Sequence, residues 1–145
     1  MIRENIYAAL AVQVAAVTGI QAVFRKVLSI DDIQPPDKPC IIQVEDVEDV
    51  SQRGKGLPPV YKLCPTLYVY MVGNDPTVIN VQLLNPVLDA LCNSFAPQGA
   101  NITPGGADTL GGLVSHCWIS GRIVIDDGTQ GGGILAIVPV EILTV

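Results

Sequence analysis

Residues 109–145 read TLGGLVSHCWISGRIVIDDGTQGGGILAIVPVEILTV, and this stretch decides the fold. Strand side chains point to alternate faces, so the run from Leu113 to Asp126 puts Leu113, Cys117, Ile119, Ile123 and Ile125 on one side. Val114, His116, Trp118, Ser120, Arg122 and Val124 fall on the other. Asp127, Gly128 and the three glycines at 131–133 supply the positive-φ positions of a wide turn. Residues 134–145 then return, apolar on both faces except for Glu141 and Thr144. The stretch therefore reads as one long hairpin. A strand apolar on both sides needs a layer over each, and in so short a chain one of those layers can belong to another subunit.

A chain of 145 residues is one domain, 1–145, with room for a single core. Hydrophobic residues make up 49% of it and charged residues 15%, against about 25% charged in an average domain. That shortfall favours a protein whose surface is largely used in contacts. The net charge of −6 argues against sequence-independent clamping of nucleic acid, which needs a basic patch. An acidic channel through which nucleic acid slides is compatible with it. Cys40, Cys64, Cys92 and Cys117 lack CxxC spacing and sit in apolar runs, so buried free thiols are expected rather than a zinc or redox site. Residues 6–20 are strongly apolar but fall short of the roughly 20 residues that span a bilayer. Glu4, in what would be the basic region of a secretory signal, argues against that reading too. A core helix is expected there, with no membrane partner.

Taken in order, residues 2–18 read as a helix with Ile2, Ile6, Leu10, Val14 and Val17 as its main stripe and Gly19 ending it. Val12 lies off that stripe, so the helix is apolar nearly all round and is expected to be enclosed on more than one side. Residues 22–30 read as a short strand, 31–39 as a proline-rich connector and 40–44 as a buried strand. Residues 45–59 read as an exposed charged loop between strands: Glu45, Asp46, Glu48 and Asp49 supply four acids in five residues, and Arg53 and Lys55 follow. Residues 60–72 form the next strand, with Pro65 implying a bulge or an edge position. A turn is expected at 73–76. Asn85-Pro86 reads as an N-cap and first helical residue, which secures a helix over 86–95 and leaves 77–84 undecided. A Pro/Gly loop at 96–108 leads into the terminal hairpin. The order α-β-β-β-α-β-β predicts an α+β fold, a mostly antiparallel sheet with two helices packed on one face.

Catalytic constellations fail on inspection. His116, the sole histidine, is adjacent to Ser115 on a strand, so the two side chains point to opposite faces and cannot form a nucleophile–base pair. Gly54-Lys55-Gly56 lacks phosphate-loop spacing. The acids at 45–49 lack the glycine-centred calcium loop, and a solvated charged segment accounts for them. No cofactor, metal or enzymatic activity is expected. Association remains. Trp118, beside Val114 and His116 on the more polar face of its strand, is either a second-core residue or an interface anchor, and the low charge content favours the interface. Val12, His116, Arg53 and Lys55 are the further interface candidates.

With these residues in view, the chain resembles the tail terminator (tail completion) proteins of long-tailed bacteriophages, similar to the minor tail protein U type. The likeness runs through MIRENIYAAL (1–10), VYKLCPTLYVYMVGND (60–75) and LLNPVLDAL (83–91). It is most specific in TLGGLVSHCWISGRIVIDDG (109–128) followed by ILAIVPVEILTV (134–145). The resemblance implies a small α+β subunit of a ring, typically of six, that caps the finished tail tube, stops its polymerisation and presents the head-joining surface. It implies self, the tail tube protein and a head–tail connector or head-closure protein as partners, with DNA only as passing cargo. It implies a place at the head-proximal end of the tail in the virion, and assembly in the host cytoplasm. Glu45, Asp46, Glu48 and Asp49 would then face the lumen, repelling phosphate, or face axially and dock. Competing readings are another neck component (a head-closure or adaptor ring), a small soluble enzyme using His116, and a plain α+β dimer.

Overall fold

The computed structural model describes residues 2–34, 37–72, 80–96, 107–130 and 133–144. The expected turn at 73–76, most of the 96–108 loop, Pro35, Pro36, Gly131 and Gly132 lie outside these residues. The elements are α1 (Arg3–Ala15), β1 (Ala22–Phe24), β2 (Cys40–Ser51), β3 (Val60–Val72), α2 (Asn80–Ser94), β4 (His116–Ile119), β5 (Val124–Gln130) and β6 (Gly133–Leu143). The fold is α+β. Six strands form one mixed sheet in the order β1-β2-β3-β6-β4, with β5 also paired to β6. Every pairing is antiparallel except β1 with β2.

The terminal stretch differs from a single hairpin by one break. β4 and β5 both run antiparallel to β6, β4 against 140–143 and β5 against 133–137. Gly121 at φ 115° turns the chain between them. Leu113 and Val114 exchange the places expected of them: Val114 is buried and Leu113 exposed. Left-handed residues at Leu110, Gly111 and Gly112 place Leu113 in a turn, where two-residue alternation does not apply.

β6 sits at the centre of the fold. Ile134, Ala136, Val138, Val140 and Ile142 are buried in the main core with Ile41, Leu63, Leu67, Val69 and Met71 from β2 and β3. Both helices cover this face, α1 with Ile6, Tyr7, Leu10 and Val14, α2 with Leu84, Val87, Leu88 and Leu91. Gln43 ties α1 to the sheet, its Nε2 donating 2.9 Å to the Tyr7 carbonyl. Pro65 occupies the expected bulge: Glu45 and Asp46 of β2 lie between the Val44–Thr66 and Val47–Cys64 pairs, two residues opposite one.

Three further expectations change. α1 begins at Arg3 with Ile2 as its N-cap and exposed, so Ile2 does not join the buried stripe. Asn85 and Pro86 lie inside α2 rather than at its start; the burial of Leu84, Val87, Leu88 and Leu91 outweighs the one backbone donor that proline lacks. Residues 45–51 are strand, not loop, because beyond the bulge at Glu45 and Asp46 the backbone of 47–51 pairs with 60–64 of β3, leaving 52–59 as the connecting segment. Their exposure is as expected.

At the start of β6 the Tyr70 ring lies where a side chain at Gly133 would project, and an added Cβ would overlap its hydroxyl. Gly133→Ala is expected to lower the unfolding free energy by about 1–3 kcal/mol, as overpacking does, read from urea denaturation. Leu67→Ala, at a fully buried position, is expected to cost about 2–5 kcal/mol in the same assay.

Candidate association surface

The face of the sheet opposite the helices carries the alternate residues of the same strands. Cys40, Ile42 and Tyr70 are buried there with Ile33, and Ala22, Phe24, Leu28, Val44, Tyr68, Val72 and Leu135 pack against them while partly exposed. The connector after β1 covers only one end. An apolar groove of about 240 Å³ remains, lined by Val27, Leu28, Ile42, Val44, Tyr68, Tyr70 and Leu135. Further along β6, Ile137, Pro139 and Leu143 are half-buried on this side. Among the described residues, the layer that a doubly apolar strand requires is thus present on one face and missing from much of the other.

Trp118 stands at the far end of this face and is 43% exposed. It stacks on His116, with ring centroids 3.6 Å apart and planes 7° from parallel. His116 Nε2 lies 3.4 Å from Glu141 Oε1, and Glu141 Oε2 lies 3.6 Å from Lys62 Nζ. Glu141, the one acid of the return strand, is therefore held between two bases. Sequence reading singled it out without finding these partners, since strand pairing across β6 had to be known first. The arrangement orders an aromatic plate at the sheet edge. Among the described residues, the hydrogen-bond partner of His116 is Glu141, and no group of three or more His, Cys, Asp or Glu side chains could hold a metal ion.

Val12 lies on the outer side of α1 and is 73% exposed. Among the described residues this helix is covered on one side only, against the expectation of fuller enclosure. Val12 and Trp118 belong to different surfaces, the first over the helix layer and the second on the open sheet face.

The four acids divide. Both Glu48 carboxylate oxygens accept from the one Arg3 Nε–H at 2.9–3.0 Å, Glu45 accepts from Arg25 at 2.9 Å, and Asp46 accepts from the Thr66 hydroxyl at 3.2 Å. They line the part of β2 beyond β1, where no described strand continues the sheet. Charges on such an edge oppose indiscriminate strand pairing. Arg53 and Lys55 are exposed in the 52–59 segment, with no ion pair among the described residues. No helix among the described residues is long and apolar enough to cross a membrane.

Burial pushes the Cys40 thiol up to about 11 and the Cys117 thiol up to about 12, so neither supplies thiolate near neutrality. Cys92 is exposed and Cys64 intermediate. In the native protein a thiol reagent is expected to label Cys92 first, Cys64 more slowly, and Cys40 and Cys117 only on unfolding. Peptide mapping of the labelled protein checks this. The Glu4 carboxylate, hydrogen-bonded by Arg25, is held below the usual range. A lowered folded pKa gives stability present above the unfolded value and lost as pH falls through the folded one. Arg25→Met is therefore expected to flatten the fall in stability below about pH 4.5, read as midpoint against pH.

No protein-family model matches the sequence, and no curated protein matches it. Among solved structures, the fold is similar to a chain of the "Virion of native gene transfer agent (GTA) particle". The TM-score is 0.57 at 11% identity, over 94% of this chain and 92% of that one. The likeness is therefore one of fold, across nearly the whole of both chains.

Proposed function

We propose that this protein is a structural subunit of a phage-like virion, and within it a tail terminator: a ring, of six copies, that caps the tail tube, stops its growth and forms the head-joining surface through which DNA passes. The observation that carries the reading is the half-covered sheet, apolar on a face its own helices do not reach, in a fold shared end to end with a virion chain. The terminal block of sequence supports the tail-terminator station within that class. Copies related by rotation bury unlike surfaces, and such contacts close into a ring when the rotation closes.

The charged end of the β2–β3 hairpin is assigned to docking rather than to the lumen. Arg3, Arg25 and Thr66 already engage Glu48, Glu45 and Asp46, so this run offers less free negative charge than its composition implies. Arg53 and Lys55 stand exposed beyond it, and mixed charge suits a complementary partner surface. The tail tube protein and the head–tail connector or head-closure protein are the partners in this reading.

The test is the purified protein, alone and mixed with tails lacking their cap. A ring of six gives six times 15.3 kDa, about 92 kDa, by light scattering, and is expected to cap tube ends in electron micrographs. Binding to DNA-filled heads instead of tails would move the ring to a head-closure or adaptor position. A monomer indifferent to both would end the proposal. Neutralising Glu45, Asp46, Glu48 and Asp49 is expected to leave rings intact while blocking tail joining. Joined particles with slowed DNA ejection would instead place these acids in the channel.

A further inference from the structure

Among the described residues the sheet has two edges to which no further strand pairs, and the strand pairings set their relative level. One edge is formed by β1 and, beyond Phe24, by the acidic half of β2; the other is formed by β4 and β5 end to end along β6. Following the paired residues across the sheet, Ala22, Cys40, Tyr70, Leu135 and Asp126 make one row. Phe24, Ile42, Tyr68, Ile137 and Val124 make another. Higher up, Asp49, Lys62, Leu143 and His116 share a row, as do Glu48, Leu63, Ile142 and Cys117. A copy rotated about an axis along the strands brings the two ends of each row together. β1 runs with β2 and β6, while β5 and β4 run against them. The edges that meet are therefore antiparallel, as strand addition favours.

We infer that adjacent copies join by strand pairing, β5 of one copy adding antiparallel to β1 of the next at the level of Ala22–Asp126 and Phe24–Val124. This rests on the self-association proposed above and names the surfaces that make it. Two observations select a second copy of this chain as the occupant. The edges match in level and direction. Val124 and Ile125 on β5 are exposed on opposite faces of that strand, as is Val27 just past β1. Because β1 ends at Phe24, the upper parts of the two edges stay about two strand spacings apart, roughly 9–10 Å. The joint is therefore confined to the level of β1, and the recessed acidic run of β2 takes no part in the backbone pairing.

The test uses two full-length proteins in a Cys92→Ser background, Ala22→Cys and Asp126→Cys, one carrying a mass tag. The expected result is a disulfide between the two proteins after mixing and mild oxidation, within the oligomer peak, and none in either protein alone. An Asp126–Asp126 position disulfide would mean a two-fold dimer through β5 and overturn the proposal. So would an oligomer of unchanged mass with no cross-link; the ring would then stand on another surface. A monomer at all concentrations, with no cross-link, would overturn the ring as well. As an independent reading, Val124→Lys is expected to shift the oligomer towards monomer while circular dichroism and thermal midpoint stay close to those of the parent. An intact oligomer of that variant counts against the joint.

Discussion

Holding β6 between three strands is the constraint on which the rest of the structure depends. One side of its backbone pairs with β3 and the other with β4 and β5 in succession. Its side chains divide the sheet into two apolar faces, and the chain has helices enough to cover one. Ile134, Ala136, Val138, Val140 and Ile142 disappear beneath α1 and α2, whereas Leu135, Ile137, Pro139 and Leu143 remain half-buried on the other side. Fully burying a side chain of this kind is worth about 1.5–3 kcal/mol. Several of them, with Tyr68 and Trp118 beside them, leave a substantial reserve of burial that no part of the described chain collects.

Two features of the backbone keep that arrangement specific. Pro65 removes a donor from the middle of β3, and the bulge at Glu45 and Asp46 lets β2 continue past it in altered register. Gly121 separates β4 from β5, so the outer edge of β6 is occupied by two short strands rather than one long one. Short, interrupted edges with charged neighbours resist random pairing. The surface that results is sticky on its open face and selective along its edges.

Much of this was legible in the residues. The two-sided apolarity of 134–145 announces two apolar faces, Pro65 announces a bulge or an edge position, and the Ile6, Leu10, Val14 spacing marks the buried side of α1. The failures have distinct causes. Alternation places Leu113 with Cys117 only if it runs on through a turn made by left-handed residues, which sequence pattern does not display. Four acids within 45–51 suggest a solvated loop, yet an edge strand satisfies solvent on one side and the ladder on the other. Asn85-Pro86 imitates a helix start, and only the burial of Leu84 on the preceding turn shows the helix passing through. The His116–Glu141–Lys62 contacts depended on β4 and β3 flanking β6, a topological fact that no local window contains.

Magnitudes decide which surfaces an assembly of this chain must use. A three-residue strand pairing adds a few hydrogen bonds at a net of about 0.5–1.5 kcal/mol each. Association costs an estimated 4–15 kcal/mol in lost freedom at the standard state. Edge pairing alone falls short of that, and it therefore orients copies more than it holds them. The balance has to come from apolar area next to the joint, where Val27 stands 73% exposed beside the groove and Val124 and Ile125 stand open on β5. A pairing that aligns these side chains removes them from water at the same step that sets direction and level. In the proposed joint the backbone edge supplies register, and the apolar side chains flanking it supply most of the affinity.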